Sequence, residues 1–141
     1  MVLAWRVHRL IYRLSGGRVG TRLGAMRVLL LTTTGRRSGR AHDVALNYFE
    51  DAGRPVVIAS NAGDDRHPAW YLNLRAHPEA EIRVGTRSRP VRARLPEGSE
   101  RERLWRRLVA LDPSYEVYER RTSRPIPVVV LDPADGAPQP A

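Results

Sequence analysis

The hydrophobic positions of the chain fall into six short runs, each bounded by glycine, proline or polar residues. Runs of this kind are typical of β-strands, and they predict strands over residues 28–33, 44–49, 55–60, 80–84, 89–95 and 126–131. The first three runs are joined by short turns, including the hairpin signal Asp51-Ala52-Gly53-Arg54, so these strands should pair antiparallel. Six short antiparallel strands favour closure into a barrel. The pattern predicts an α+β, mainly β fold, a six-stranded antiparallel β-barrel with peripheral helices.

Apolar residues recur at helical spacing in the N-terminal segment, at Leu3, Val7, Leu10 and Leu14. Residues 1–18 are therefore predicted to form an amphipathic helix. This helix either packs on the domain or rests on an anionic membrane surface through its arginines and interfacial aromatic rings. No apolar run approaches the roughly 20 residues that span a bilayer, so the protein is predicted to be cytoplasmic, with membrane association as the alternative.

Further helices are predicted over residues 69–75, 99–111 and 115–121. The first follows Pro68, a residue favoured at helix starts. The second begins at Ser99-Glu100-Arg101-Glu102, which has the form of a capping box. Residues 19–133 are predicted to form one domain, followed by a flexible tail over residues 134–141.

The composition bears on which partners and which chemistry the protein is predicted to use. All 24 basic residues are arginine and the formal net charge is +9, which reflects either codon usage or an anionic partner, since guanidinium matches phosphate and carboxylate. Nucleic acid is not the predicted partner, because the aromatic residues are not interleaved with arginines on one strand face. No metal site is predicted from the spacing of the four histidines, and the absence of cysteine excludes thiolate chemistry.

The turn after the first predicted strand carries the sharpest chemical signal. Its glycines permit backbone conformations that aim N–H groups at an anion. Its other residues supply three guanidinium groups and a hydroxyl, since the segment reads Gly35-Arg36-Arg37-Ser38-Gly39-Arg40. The turn is predicted either to grip a phosphate or carboxylate group, or to be an exposed hairpin loop.

Two more pairs of residues stand beside polar loops. Trp70 and Asn73 share a predicted helix, which either forms one wall of a cofactor cleft or packs in the core. Tyr115 and Tyr118 share one helical face, where a phenol could donate a proton or orient a substrate, or serve packing alone. Ser60 ends a predicted strand but has no evident histidine and aspartate partners for nucleophilic catalysis.

Four motifs in order make the chain similar to the deazaflavin-dependent nitroreductase family. They are LLLTTTGRRSG (residues 29–39), VIASNAG (57–63), PAWYLNL (68–74), and the ending that runs from PSY (113–115) to RTSRPIPVV (121–129). The resemblance implies a split β-barrel. It also implies binding of coenzyme F-420, an 8-hydroxy-5-deazaflavin that carries a phosphate and an oligoglutamate tail.

The same resemblance implies roles for individual residues. The residues implied to contact the cofactor are Arg36, Arg37, Ser38, Gly39, His42, Asp43, Val44, Ala45, Leu46, Ala59, Ser60, Asn61, Trp70, Asn73 and Tyr115. The implied catalytic residues are Tyr115, Tyr118 and Ser60. Two departures from the family pattern, Asn61-Ala62-Gly63 for Lys-Gly-Gly and Ala41-His42 for Pro-Arg, remove positive contacts with the cofactor.

The implied function is that of an oxidoreductase. Reduced F-420 would supply a hydride to a quinone, a nitro compound or an activated alkene such as an enone, while the protein orients the reactants and excludes water. Two alternatives remain at this point: a deazaflavin carrier with little turnover, and an FMN-dependent enzyme on a similar barrel.

Overall fold

The computed structural model of the protein describes residues 22–23 and 26–134. Its strands are β1 (Arg22–Leu23), β2 (Met26–Thr34), β3 (Ala41–Asp51), β4 (Arg54–Ile58), β5 (Glu79–Val84), β6 (Arg87–Arg94) and β7 (Val128–Pro133). Its helices are α1 (Ala69–Ala76), α2 (Gly98–Leu111) and α3 (Ser114–Arg121), and a short 3-10 turn spans Asn61–Gly63. The predicted helix within residues 1–18 and most of the predicted tail lie outside the described residues, so both stay predictions.

The long strands close into an antiparallel barrel. Their order around the barrel is β2-β3-β4-β7-β6-β5, and β5 returns to β2 by pairing Glu81–Arg83 with Leu30–Thr32. The two residues of β1 extend the sheet beside the start of β2. The predicted six-stranded antiparallel barrel with peripheral helices is therefore confirmed.

Alternation of side chains along the strands produces two cores, because successive residues point to opposite faces of a sheet. The inner core fills the barrel with Leu29, Leu31, Leu46, Tyr48, Val57, Ile82, Val91, Val129 and Leu131, and α1 adds Trp70, Tyr71 and Leu74. The outer core lies under α2 and α3 and contains Phe49, Val56, Ile58, Val128, Val130, Leu104, Leu108 and Tyr115. Helix α1 thus closes one end of the barrel, while α2 and α3 cover its side.

Backbone geometry explains two chain reversals. Asp51 pairs with Arg54 across Ala52 (φ 52°) and Gly53 (φ 77°), the left-handed pair that a two-residue hairpin requires. The predicted capping box is wrong: α2 begins at Gly98, the preceding glutamate occupies the N-cap position, and no side chain caps the helix. The positive φ of Gly98 (59°) lets the chain turn into the helix one residue before the predicted cap.

Candidate functional site

The barrel is split along one edge of β3. Strand β3 pairs with β2 from Ala41 to Tyr48, but it pairs with β4 only from Tyr48 to Asp51. Beyond β4 the chain turns toward β7, where the Ala59 amide donates to the Pro127 carbonyl at 2.9 Å. Residues 41–47 therefore have no described strand on their second edge, and backbone groups there need other partners. This open edge, residues 41–47 of β3, is suited to binding a ligand through the backbone.

The five residues predicted to line the cofactor, His42 to Leu46, lie along the open edge, but their side chains point to both faces of the sheet. Val44 and Leu46 pack with the inner core, whereas Ala45 lies on the outer face. The half-buried Asp43 carboxylate accepts a hydrogen bond from the Thr32 hydroxyl at 2.8 Å. A ligand on this edge would therefore meet mainly backbone atoms.

The turn between β2 and β3 is held in shape by its own backbone. The Gly35 amide donates to the Arg40 carbonyl at 2.7 Å, and the Gly39 amide donates to the Gly35 carbonyl at 2.9 Å. Gly39 has a φ of +70°, and a Cβ on Gly35 would lie 2.6 Å from Ser38 Oγ and 2.7 Å from His42 Nε2. Both glycines are required by this geometry, since a side chain at either would strain or crowd the turn.

Asn73 of α1 anchors the turn between β2 and β3 to the helix. Its Oδ1 accepts hydrogen bonds from the Arg36 amide at 3.1 Å and from the Arg36 guanidinium at 3.0 Å. Its Nδ2 donates to the Thr33 hydroxyl at 3.1 Å. Asn73 and Thr33 are only 4% and 2% exposed, so these contacts are largely removed from water. The buried amide therefore sets the direction of the Arg36 side chain.

The remaining groups of the turn face solvent. Ser38 Oγ accepts a hydrogen bond from the Arg40 amide at 3.1 Å and lies 3.4 Å from His42 Nε2. The side chains of Arg37 and Arg40 are exposed, and their guanidinium groups make no hydrogen bond or ion pair with the described residues. Two guanidinium groups are thus left over for an external anion, at the end of the barrel closed by α1.

The segment after β4 adopts backbone conformations that side chains rarely tolerate. Asn61, Ala62 and Gly63 have φ values of 46°, 54° and 82°, and such left-handed residues other than glycine store strain when the surroundings fix them. A Cβ on Gly63 would lie 2.9 Å from the Tyr118 carbonyl oxygen, so α3 packs directly on this loop. The strained loop, Asn61–Gly63, stands where β4 leaves the open edge of β3.

Arg124 holds the strained loop in place. Its guanidinium donates to the carbonyl oxygens of Ala59 at 3.2 Å, Ser60 at 2.9 Å and Asp64 at 2.9 Å. Burial lowers the pKa of Arg124, a fall that the nearby aspartates oppose. Sequence reasoning assigned no role to Arg124, because its partners lie about 60 positions earlier in the chain.

His67 completes this cluster. Its Nδ1 lies 3.2 Å from the Arg124 guanidinium, and its ring contacts the Tyr71 ring at a tilted angle, with centroids 4.8 Å apart. Because arginine can only donate, Nδ1 must accept, which places the histidine proton on Nε2. Burial, followed by the charges of Arg124 and Arg75, lowers the pKa of His67. The ring is therefore neutral at physiological pH.

The two predicted tyrosines meet edge to face, with ring centroids 5.4 Å apart. Tyr115 is buried in the outer core with its hydroxyl near the Asn47 side chain of β3, while Tyr118 is half-buried. Burial, with the added effects of Asp112 and Tyr118, raises the pKa of Tyr115 to about 12. The Tyr115 phenol thus keeps its proton at neutral pH.

The structure brings most of the predicted residues to one end of the barrel: the turn, Asn73, the open edge of β3, and Ala59 to Asn61. Trp70 points away into the inner core, against Tyr71, and Tyr115 lies in the outer core. Among the described residues, no three His, Asp or Glu side chains are grouped to hold a metal ion. None of the described helices has the length and apolar character needed to cross a membrane.

Comparison with known proteins adds a family. The profile of the F-420H(2)-dependent quinone reductase family matches residues 4–133. An F-420H(2)-dependent quinone reductase of Mycobacterium tuberculosis is 42% identical to the chain over 130 residues, which are 89% of this chain and 87% of that protein.

Solved structures agree with the sequence relatives. One described as an F-420-H2 dependent reductase (FDR-A) is 39% identical, with a TM-score of 0.68 over 74% of this chain and 93% of that chain. Another, described as a domain-swapped dimer, is 34% identical, with a TM-score of 0.71 over 90% of this chain and 94% of that chain.

Proposed function

The chain belongs to the F-420H(2)-dependent quinone reductase family, and we propose that it reduces a quinone with reduced coenzyme F-420. The observation that carries the proposal is the family match over residues 4–133 together with the glycine turn and its unpartnered arginines. Nitro compounds and activated alkenes, which accept a hydride by similar chemistry, are secondary candidate substrates.

The residues present fit an anionic cofactor. The exposed Arg37 and Arg40 have no described acidic partner, and guanidinium binds phosphate and carboxylate in two-point contacts. We assign the cofactor phosphate and its glutamate tail to Arg36, Arg37, Ser38 and Gly39. In this assignment Asn73 positions Arg36 by accepting hydrogen bonds from it.

The open edge of β3 provides the second part of the site. Backbone N–H and C=O groups of residues 42–46 have no described strand partner on that side, so they can bond the polar edge of a flat ring system. We assign the facing side of the ring to Ala59, Ser60 and Asn61. Trp70 packs from α1 into the same inner core as Ala59, so we infer that it supports this side of the site from within the barrel.

The bound coenzyme supplies the hydride chemistry, and the protein supplies orientation and a proton. We propose that Tyr115, Tyr118 and Ser60 serve the substrate side. Tyr118, which is half-buried beside the strained loop, is better exposed than Tyr115 to reach a substrate directly. Tyr115 would act from the outer core through its contact with Asn47, with a hydroxyl that stays protonated.

The proposal is tested by titrating the purified protein with F-420 and then mixing it with the reduced cofactor and menadione. We expect saturable binding and enzyme-dependent oxidation of the reduced cofactor by the quinone. Binding without oxidation would identify a carrier, and oxidation of reduced FMN but not of reduced F-420 would identify the flavin alternative. The Arg36→Ala/Arg37→Ala double variant should bind F-420 more weakly with its fold unchanged by circular dichroism, and unchanged affinity would remove the turn from the site.

A further inference from the structure

The barrel has a second opening, at the end opposite the anion-binding turn. The antiparallel order brings the start of β2, the end of β3 and the β5–β6 hairpin to this end. We call it the far opening and define it by the inward-facing residues Arg27, Tyr48, Glu50, Arg87 and Arg89. The proposed cofactor site uses none of them.

Strand pairing shows that three arginines face into this opening. Residues directly opposite each other on antiparallel strands share a face. Arg27 is opposite Tyr48, and Arg89 is opposite Ile82, and both Tyr48 and Ile82 belong to the inner core. Arg87 lies opposite Val84, which also packs against that core.

The Tyr48 hydroxyl lies near Arg27, and its proton has no acceptor among the described residues. Tyr48 is 1% exposed, and its hydroxyl makes no hydrogen bond of standard geometry with the described residues. The Arg27 guanidinium is placed to donate to the hydroxyl oxygen, which lowers the pKa of this phenol. Because an arginine can only donate, the hydroxyl proton still has no acceptor among the described residues. A buried donor without an acceptor is costly, and this one points to a ligand that accepts hydrogen bonds.

The charges around the hydroxyl favour an anion. Burial raises the pKa of Tyr48, and donation from the Arg27 guanidinium, followed by the positive charges of Arg27 and Arg89, opposes that rise. Glu50 supplies one negative charge and pairs loosely with Arg27 at 3.7 Å. Arg87 and Arg89 make no ion pair with the described residues. Three cations and one anion leave the far opening positively charged.

We propose that the far opening is a second anion site. A phosphate group would bind there to Arg27, Arg87 and Arg89, and one of its oxygens would accept a hydrogen bond from the Tyr48 hydroxyl. A phosphate group offers several acceptor oxygens, so it can bond the hydroxyl and more than one guanidinium together. The site does not depend on cofactor binding, because it lies at the other end of the barrel.

Inorganic phosphate is the first probe. Its binding is measured by calorimetry and by the rise in melting temperature over chloride at equal ionic strength, in the Arg36→Ala/Arg37→Ala background that weakens the cofactor site. We expect saturable binding that persists in this background. A phosphate effect that disappears with Arg36 and Arg37 would overturn the proposal, since the anion would then occupy the cofactor site.

Two variants in the same background locate the phosphate. Arg89→Gln and Tyr48→Phe should each weaken binding about tenfold, the effect of one charge-assisted hydrogen bond. Arg92→Gln is the matched control, because Arg92 lies on the outer face of the same strand and pairs with Glu79. Equal losses in Arg89→Gln and Arg92→Gln would show a general effect of net charge and would refute a defined site, and unchanged binding in Tyr48→Phe would remove the hydroxyl from it.

Tyr48→Phe also gives a readout without ligand. In phosphate-free buffer the variant should be as stable as the parent protein or more so, because it removes a buried donor without an acceptor. A clear loss of stability there would show that the hydroxyl is already satisfied within the protein. The result is independent of quinone reduction, so it separates this proposal from the proposed function.

The source of the phosphate is tested with vesicles. Phosphatidylglycerol vesicles that bind the protein through Arg89, when free phosphate does not, would assign the site to a lipid headgroup. Free phosphate that binds alone, with no preference for phosphatidylglycerol over phosphatidylcholine, would assign it to a soluble phosphate compound. The proposal would be overturned if neither free phosphate nor phosphatidylglycerol vesicles bound in an Arg89-dependent way.

Discussion

Replacing Asn73 by leucine should uncouple the anion-binding turn from the barrel. The substitution keeps the branched shape and the number of heavy atoms of the side chain and removes three hydrogen bonds: two accepted from Arg36 and one donated to Thr33. The Thr33 hydroxyl, 2% exposed, then has no partner in a site that water hardly reaches. Neutral hydrogen bonds contribute about 1 kcal/mol each and charged ones about 2 kcal/mol, so the free energy of unfolding should fall by about 2–4 kcal/mol.

The same variant should bind F-420 more weakly, because Arg36 is no longer held in one direction. Immobilising a long side chain costs about 0.5–1.5 kcal/mol when binding itself must do it. That cost corresponds to a rise in Kd of about two- to twelvefold. Urea unfolding measures the first effect, and fluorescence titration with F-420 measures the second.

Thr33→Val is the matched control. It removes the bond to Asn73 Nδ2 but leaves both Arg36 contacts in place. Its unfolding free energy should fall by about 1–2 kcal/mol with no change in Kd. The reasoning is refuted if Asn73→Leu lowers stability while Kd stays within error of the parent value, or if both variants weaken F-420 binding equally.

Three further predictions concern the rest of the site. Tyr115→Phe should lower turnover with menadione more than it lowers F-420 affinity, because the hydroxyl contacts Asn47 and not the anion turn; equal losses would assign the residue to packing. Gly63→Ala should lower the melting temperature more than Gly85→Ala, since both have positive φ but only Gly63 is crowded; equal effects would contradict close packing of α3 on the loop. The pKa of His67 is lowered in the folded state, so its contribution to stability is present above its ordinary value of 6.5 and is lost as the pH falls through the folded value; a His67→Gln variant should lose this pH dependence, and an unchanged profile would contradict it.

The strands and helices could be predicted from local pattern because their signals are local. Residues 44–49 alternate between the two faces of β3, and Leu104 and Leu108 recur at helical spacing on α2. The observed strands are mostly longer than predicted, since β3 extends from Ala41 to Asp51. Its polar ends are strand because they pair with β2 and β4, not because of their own composition.

The geometry of the site could be predicted only in part. The glycine and arginine turn is contiguous in sequence, so its chemistry was visible. The open edge of β3 depends on where β4 stops pairing, which is a property of register between strands. Arg124 was missed for a related reason: it bonds carbonyl oxygens, and any residue offers a carbonyl, so no side-chain motif marks its partners.

The positions of the arginines in the fold divide them into those that pair with carboxylates and those that do not. Arg94 bonds Asp132 and Glu100, and Arg103 bonds Asp51 through two oxygens, so these charges are neutralised on the protein surface, where such pairs contribute little stability. Arg37 and Arg40 have no such partners among the described residues and stand on a turn whose glycines and buried Asn73 hold its shape. Unpaired cations on a turn of fixed shape are typical of an anion-binding site. The turn is therefore better evidence for an anionic ligand than the net charge of the chain.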